Sequence, residues 1–167
     1  MTNRDKGLSI VRVRLEREAV LGYEPVNTQD KAVEFIAREF ADLDREVFMV
    51  LNLDAQCRPI NMNVVSMGTL NYTVIHPREV FKASLLSGAN QIICFHNHPS
   101  GDVKPSEDDI KVTDRLRECG RILGIDVADH FIIGGPGGTY YSFREHDWDN
   151  TMEKGYADRN FAAEKRL

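Results

Sequence analysis

Cysteine is scarce in this 167-residue chain, and the three present, Cys57, Cys94 and Cys119, are an odd number at wide spacing. No Cys-x-x-Cys pair exists, which argues against a cysteine-built zinc knuckle. Long apolar runs are missing too: none approaches the roughly 20 residues that a membrane helix needs. The N-terminus, Met-Thr-Asn-Arg-Asp-Lys-Gly, opens on charge and lacks the apolar core of a signal peptide. Free thiols without an export signal set the expectation of a reducing, cytoplasmic location. Positive charge is in deficit, with 21 Lys and Arg against 26 Asp and Glu and a formal net charge of −5. The broad basic surface of a nucleic-acid binder is therefore not expected. Internal repeats and long linkers are absent, and apolar and charged residues interleave throughout, which excludes global disorder.

What remains is enough for one domain, expected over residues 1–167, with a core at about 11–145 and extensions at 1–10 and 149–167. A chain of this size buries on the order of two-thirds of its surface and needs no metal to fold. A metal, if bound, would serve chemistry. Alternation at 10–15 reads as a half-buried strand. Thr28 can cap a helix over 30–43, where Val33, Ile36, Ala37 and Phe40 recur at helical spacing. Residues 46–53 form a short apolar run suited to a buried strand. Residues 61–67 and 72–75 are further strand candidates. Pro77 and Gly88 bracket a helix with Val80, Phe81, Ser84 and Leu85 as its inner face. A strand at 91–96 follows, then a helix over 106–123 ended by Gly124, with Ile110, Thr113, Leu116, Gly120 and Leu123 as its stripe. A strand at 127–133, a Gly-rich turn at 134–138 and a strand at 140–143 close the pattern. The expected class is α/β, mixed α+β, with a central mixed sheet flanked by helices.

The chemistry concentrates in the segment from His96 to Asp109. In an extended chain, residues two apart point the same way, so His96 and His98 present two imidazoles to one side. Pro99 stops the strand, and Pro105 and Ser106 begin the next helix. Asp109 lies one turn in, on the inner stripe. Two imidazole nitrogens and a carboxylate oxygen suit Zn²⁺, and three protein ligands leave the fourth position for water, the layout of a catalytic site. Each part also has a plainer reading. A lone His-x-His is more often two polar residues at a strand end. Ser106 and Asp109 fit a helix capping box. Asp102, Glu107 and Asp108 read as a solvated acidic loop, with Asp102 able to brace a ligand.

His-x-His-Pro, seven residues, Ser, two residues and Asp, met by His96, His98, Ser106 and Asp109, resembles the metal signature of the JAB/MPN (JAMM) family of zinc metalloproteases. His-Asn-His-Pro-Ser-Gly-Asp-x-x-Pro-Ser resembles the RadC branch of that family, bacterial proteins traditionally called DNA repair proteins. Arg45-Glu46-Val-Phe, Pro77-Arg78-Glu79-Val80-Phe81, Asp129-His130-Phe-Ile-Ile-Gly134 and Tyr141-Ser142-Phe143 are similar to that branch as well, so the likeness spans residues 11–145. It implies a JAB/MPN-like fold with a cytidine-deaminase-like core. It also implies one Zn²⁺ held by His96, His98 and Asp109 with water as the fourth ligand. Glu46 matches the family's general acid/base, with Glu39 and Glu79 as competitors on helices. Ser106 matches the serine that helps hold the water or the developing oxyanion. Family members with a helix-hairpin-helix region carry it ahead of the JAB domain. The roughly 40 residues before Glu46 do not resemble it, so the chain is expected to be the short, single-domain form.

Cys94, in register with His96, reads as a small core residue rather than a fourth ligand. His130 is expected behind the site or in the core, and His76 and His146 at the surface. Tyr140, Tyr141 and Phe143 read as hairpin packing. Three functions compete: a zinc-dependent hydrolase of peptide or isopeptide bonds acting on a peptide or protein, a DNA repair or recombination factor, and a non-catalytic scaffold. The complete ligand set favours the first, and the acidic balance disfavours the second. No membrane partner is expected, and exposed strand edges in a small mixed sheet leave room for a homodimer.

Overall fold

Residues 47–53, Val-Phe-Met-Val-Leu-Asn-Leu, carry no charge and are buried throughout, which suits the interior of a sheet covered on both faces. They form β1 (Val47–Leu53), the second strand of a five-stranded mixed sheet, in a computed structural model that describes residues 12–16, 29–40, 43–68, 75–134 and 139–146. The remaining described elements are α1 (Gln29–Phe40), β2 (Pro59–Met67), α2 (Pro77–Ser87), β3 (Gln91–His98), α3 (Glu107–Leu123), β4 (Asp126–Gly134), β5 (Thr139–Ser142) and α4 (Phe143–His146). The spatial order is β2-β1-β3-β4-β5. β1 runs antiparallel to both β2 and β3, β3 and β4 are parallel, and β5 is antiparallel to β4. A parallel pair needs a crossover, and α3 is part of it. This arrangement fits a JAB/MPN-like mixed fold.

Alternation along β1 and β3 divides the core in two. Val47, Met49, Leu51, Leu53, Ile93 and Phe95 pack with Ile36 and Ala37 of α1. Phe48, Val50, Ile92 and Cys94 face the other way, onto Val80 and Phe81 of α2 and Leu116 of α3. His96 and His98 continue the second set, so their face is the one α3 covers. Asn97 between them belongs to the first.

Several sequence expectations shift. Residues 12–16 form no strand, and Val13 and Leu15 are exposed; alternation makes a strand only where a neighbouring backbone offers hydrogen bonds. Leu43 lies outside α1 and packs on the first core cluster. Leu85 is 54% exposed and Leu123 42%, because α2 and α3 each turn only a narrow stripe inward. β3 runs two residues beyond 96, to His98, since its ladder with β4 extends to the pair His98–Gly134. Phe143 leaves β5 and opens the short α4, with the Glu145 amide donating to Ser142 Oγ (3.2 Å). Thr28, the strand at 72–74, the turn at 135–138, the tail after Trp148 and the side chains of Val33 and Glu39 lie outside the described residues.

Candidate metal centre

β3 delivers both imidazoles, and the N-terminal turn of α3 delivers the carboxylate. Ser106 caps α3: its hydroxyl oxygen accepts from the Asp109 amide (3.2 Å), and Asp109 Oδ2 accepts from the Ser106 amide (2.7 Å). This reciprocal box aims the carboxylate back toward β3. Ser106 Oγ–H also donates to Oδ2 (2.6 Å). That commits one carboxylate oxygen to the cap and leaves Oδ1 facing His96 Nε2 at 3.1 Å.

The three expected ligands therefore meet. His96 Nε2 lies 3.1 Å from His98 Nε2, and His98 Nε2 lies 3.6 Å from Asp109 Oδ2. One ligand atom from each residue falls within 4.8 Å of the others. A tetrahedral zinc with bonds of about 2.0–2.2 Å spaces its ligand atoms roughly 3.3 Å apart, so donor chemistry and spacing both fit such an ion.

The groups behind the ligands fix their direction. His98 Nδ1 donates to the Asp102 carbonyl (2.6 Å), which keeps its Nε2 as the free nitrogen of the neutral ring. Asp102 thus braces His98, a candidate ligand, through its backbone. Its side chain instead accepts from the Lys104 amide (3.0 Å). The loop carrying that carbonyl lies against Gly134, where a Cβ would come within 2.5 Å of the Gly101 carbonyl oxygen and 2.6 Å of Val103 Cγ1.

Behind His96 a chain of hydrogen bonds runs inward, and its polarity follows from one fixed end. Thr113 Oγ1–H donates to the Asp109 carbonyl oxygen (2.6 Å), which can only accept. Thr113 Oγ1 must then accept from His130 Nδ1–H (2.6 Å). His130 is fully buried, and burial pushes its pKa well below the ordinary value, so the ring is neutral and has a single N–H. Its Nε2 accepts from His96 Nδ1–H (2.9 Å), which turns the His96 Nε2 lone pair toward the site. Phe48 stacks against His96, and Phe143 stacks on His130.

Burial raises the Asp109 pKa, but the hydrogen bonds to His96 and His98, with the His96 charge and Ser106, outweigh it and hold the carboxyl well below the ordinary range. His98 is raised, first by its hydrogen bond to Asp109, against burial, and further by the Asp102 carbonyl and the charges of Asp109 and Glu46.

The centre opens onto a cleft of about 840 Å³. Glu46, half-buried just ahead of β1, lines it with His96, His98, Ser106 and Asp109, and Arg45, Lys111 and Arg115 add positive charge. Glu79 is not among the lining residues; it is exposed on α2 and paired with Lys82. Cys94 is fully buried in the second core cluster, and burial raises its thiol pKa. His76 caps α2, and the exposed His146 stacks on Tyr141. The role of Thr113 was missed: its place on the inner stripe of α3 was visible in the sequence, its pairing with a strand histidine was not.

Residues 26–148 match the family described as the RadC-like JAB domain. A UPF0758 protein of Shouchella clausii is 40% identical over 139 residues, 83% of this chain and 60% of the relative. A UPF0758 protein of Staphylococcus haemolyticus is 48% identical over 117 residues, 70% of this chain and 47% of the relative. One from Staphylococcus carnosus is 52% identical over 106 residues, 64% and 46%. The chain thus spans about half to three-fifths of the length of these curated relatives.

Proposed function

The chain belongs to the RadC-like JAB domain family, and from that premise we propose that it is a zinc-dependent hydrolase of peptide or isopeptide bonds. The observation that carries this reading is the convergence of His96, His98 and Asp109, whose ligand atoms lie within 4.8 Å of one another in the lining of a cleft. Zinc held by these three residues would supply a Lewis acid and a water acidified towards a pKa of about 7. The chain's own groups do the rest. Glu46 lines the same cleft and is absent from the ligand set, which suits a carboxylate that takes a proton and returns it to the departing amine. Ser106 lines the cleft from the cap of α3. Its hydroxyl supports the Asp109 orientation, and to help a developing oxyanion it would have to turn its hydrogen away from Asp109 Oδ2. The cleft is open and mixed in charge, which fits a peptide or protein as substrate.

Metal analysis by mass spectrometry on protein purified without added zinc tests the site. Near-stoichiometric zinc is expected in the parent and little in His96→Ala and Asp109→Ala. Equal zinc in all three overturns the assignment. Glu46→Gln should keep its zinc and lose about 10²–10⁴-fold in turnover of a peptide and isopeptide panel. Unchanged turnover in that variant removes Glu46 from the reaction.

A further inference from the structure

Between the two histidines of β3 sits Asn97, fully buried and facing away from the metal centre. Its carboxamide uses both ends on one short stretch of the neighbouring chain. Oδ1 accepts from the Val47 amide (2.8 Å), and Nδ2 donates to the Arg45 carbonyl (2.9 Å). Those two backbone groups flank Glu46. The Glu46 carbonyl in turn accepts from the Gly68 amide (2.8 Å). The β1–β3 pairing reaches only to Phe48 opposite His96, so beyond that point the side chain of Asn97 replaces the backbone ladder.

We propose that Asn97 is a positioning residue that clamps the Glu46 peptide to the strand carrying His96 and His98, setting the distance between the carboxylate and the metal centre. The inference rests on the role given to Glu46 above. An uncharged carboxamide is required because the clamp needs one acceptor and one donor in a buried place. Aspartate keeps the acceptor and turns a second oxygen on the Arg45 carbonyl. Alanine or leucine leaves the buried Val47 amide and the Arg45 carbonyl without that partner. Because Asn97 is one residue from each ligand, any shift of Glu46 relative to β3 is a shift relative to the site.

The test uses cobalt(II) in place of zinc and reads the pH midpoint of the visible bands, which needs no substrate. A carboxylate near the metal raises the pH at which the site gives up its proton, so Glu46→Gln should lower the midpoint. Asn97→Ala should bind cobalt and move the midpoint in the same direction. Adding it to Glu46→Gln should produce no further change, the non-additive signature of action through one group. Asn97→Leu, uncharged and close in volume, serves if the alanine variant does not fold and should behave likewise. A normal midpoint in a folded, cobalt-loaded Asn97 variant, alongside a shifted one in Glu46→Gln, overturns the clamp alone. An unshifted midpoint in Glu46→Gln overturns the role of Glu46 and the clamp with it. A further shift in the double variant assigns Asn97 an effect independent of Glu46 and also overturns the proposal.

Discussion

Two hydrogen-bonded carboxylates, the partly buried Asp109 and the buried Asp129, have acidities that move in opposite directions. Asp129 accepts from the His130 amide (2.7 Å), the Ser142 hydroxyl (2.7 Å) and the Arg144 amide (3.1 Å). Burial dominates there, and its pKa is raised despite those donors and the charge of Arg144. Asp109 has the hydroxyl and amide of Ser106 but also two imidazoles, and its pKa falls. The number of hydrogen bonds does not decide the sign. What decides it is whether close partners can carry compensating positive charge as well as donate. Asp129 is thus a clasp that ties β4 to β5 and α4. Asp109 is a carboxylate held ionised, the state that binding a metal would require.

The largest effect on metal binding should come from the relay behind Asp109 and His96. Thr113→Val leaves the His130 N–H without its acceptor, a buried loss of about 1–3 kcal/mol. It also frees His96 to adopt the wrong tautomer, weakening metal binding by about 10–100-fold. Chelator competition reads the second, and chemical denaturation of the metal-free protein the first. If metal affinity is unchanged, the relay does not orient His96.

Asp129→Ala should cost about 2–4 kcal/mol by stripping three donors of their acceptor, while Asp129→Asn should cost less than about 1 kcal/mol. Denaturant midpoints compare the two. A larger loss in the Asn variant would show that the charge, not the acceptor, makes the clasp.

The pH dependence of thermal stability in metal-free protein should separate the carboxylates by sign. The folded pKa of Asp109 is depressed, so its contribution is present above the ordinary aspartate value of about 3.9 and is lost as pH falls through the folded value. The partner shift of His98 is upward, so its share is present below about 6.5 and is lost as pH rises through the folded value. Asp109→Asn should therefore cost most between about pH 4 and 6.5 and least in acid. Asp129 is raised, so its ionisation opposes folding above about pH 3.9, and Asp129→Asn should lose ground to the parent as pH falls. Parallel pH profiles for the two variants would refute the contrast. The smallest effect belongs to the surface pair Arg58–Asp54 (2.7 Å): Arg58→Ala should leave the denaturant midpoint nearly unchanged.

Much of the site was legible because it is local. His96 and His98 share a face by strand period, and Ser106 and Asp109 are fixed by one helix cap. Apolar runs and turn residues likewise located β1, α2, α3 and β4. Residues 12–16 misled because alternation reports amphipathicity and not the presence of a neighbouring strand. Leu85 and Leu123 misled because helical spacing does not set how wide a stripe is covered.

By itself the sequence determined which residues can ligate, on which strand and helix they stand, and that the family signature is whole. Only the tertiary structure decided what lies behind them. His130 meets His96 and Thr113 because β4 pairs in parallel with β3 and α3 packs over both. Asn97 reaches the chain on either side of Glu46 because β1 lies antiparallel beside β3. Those contacts join residues 17 to 52 positions apart, and strand pairing, which no local period encodes, brings them within hydrogen-bond reach.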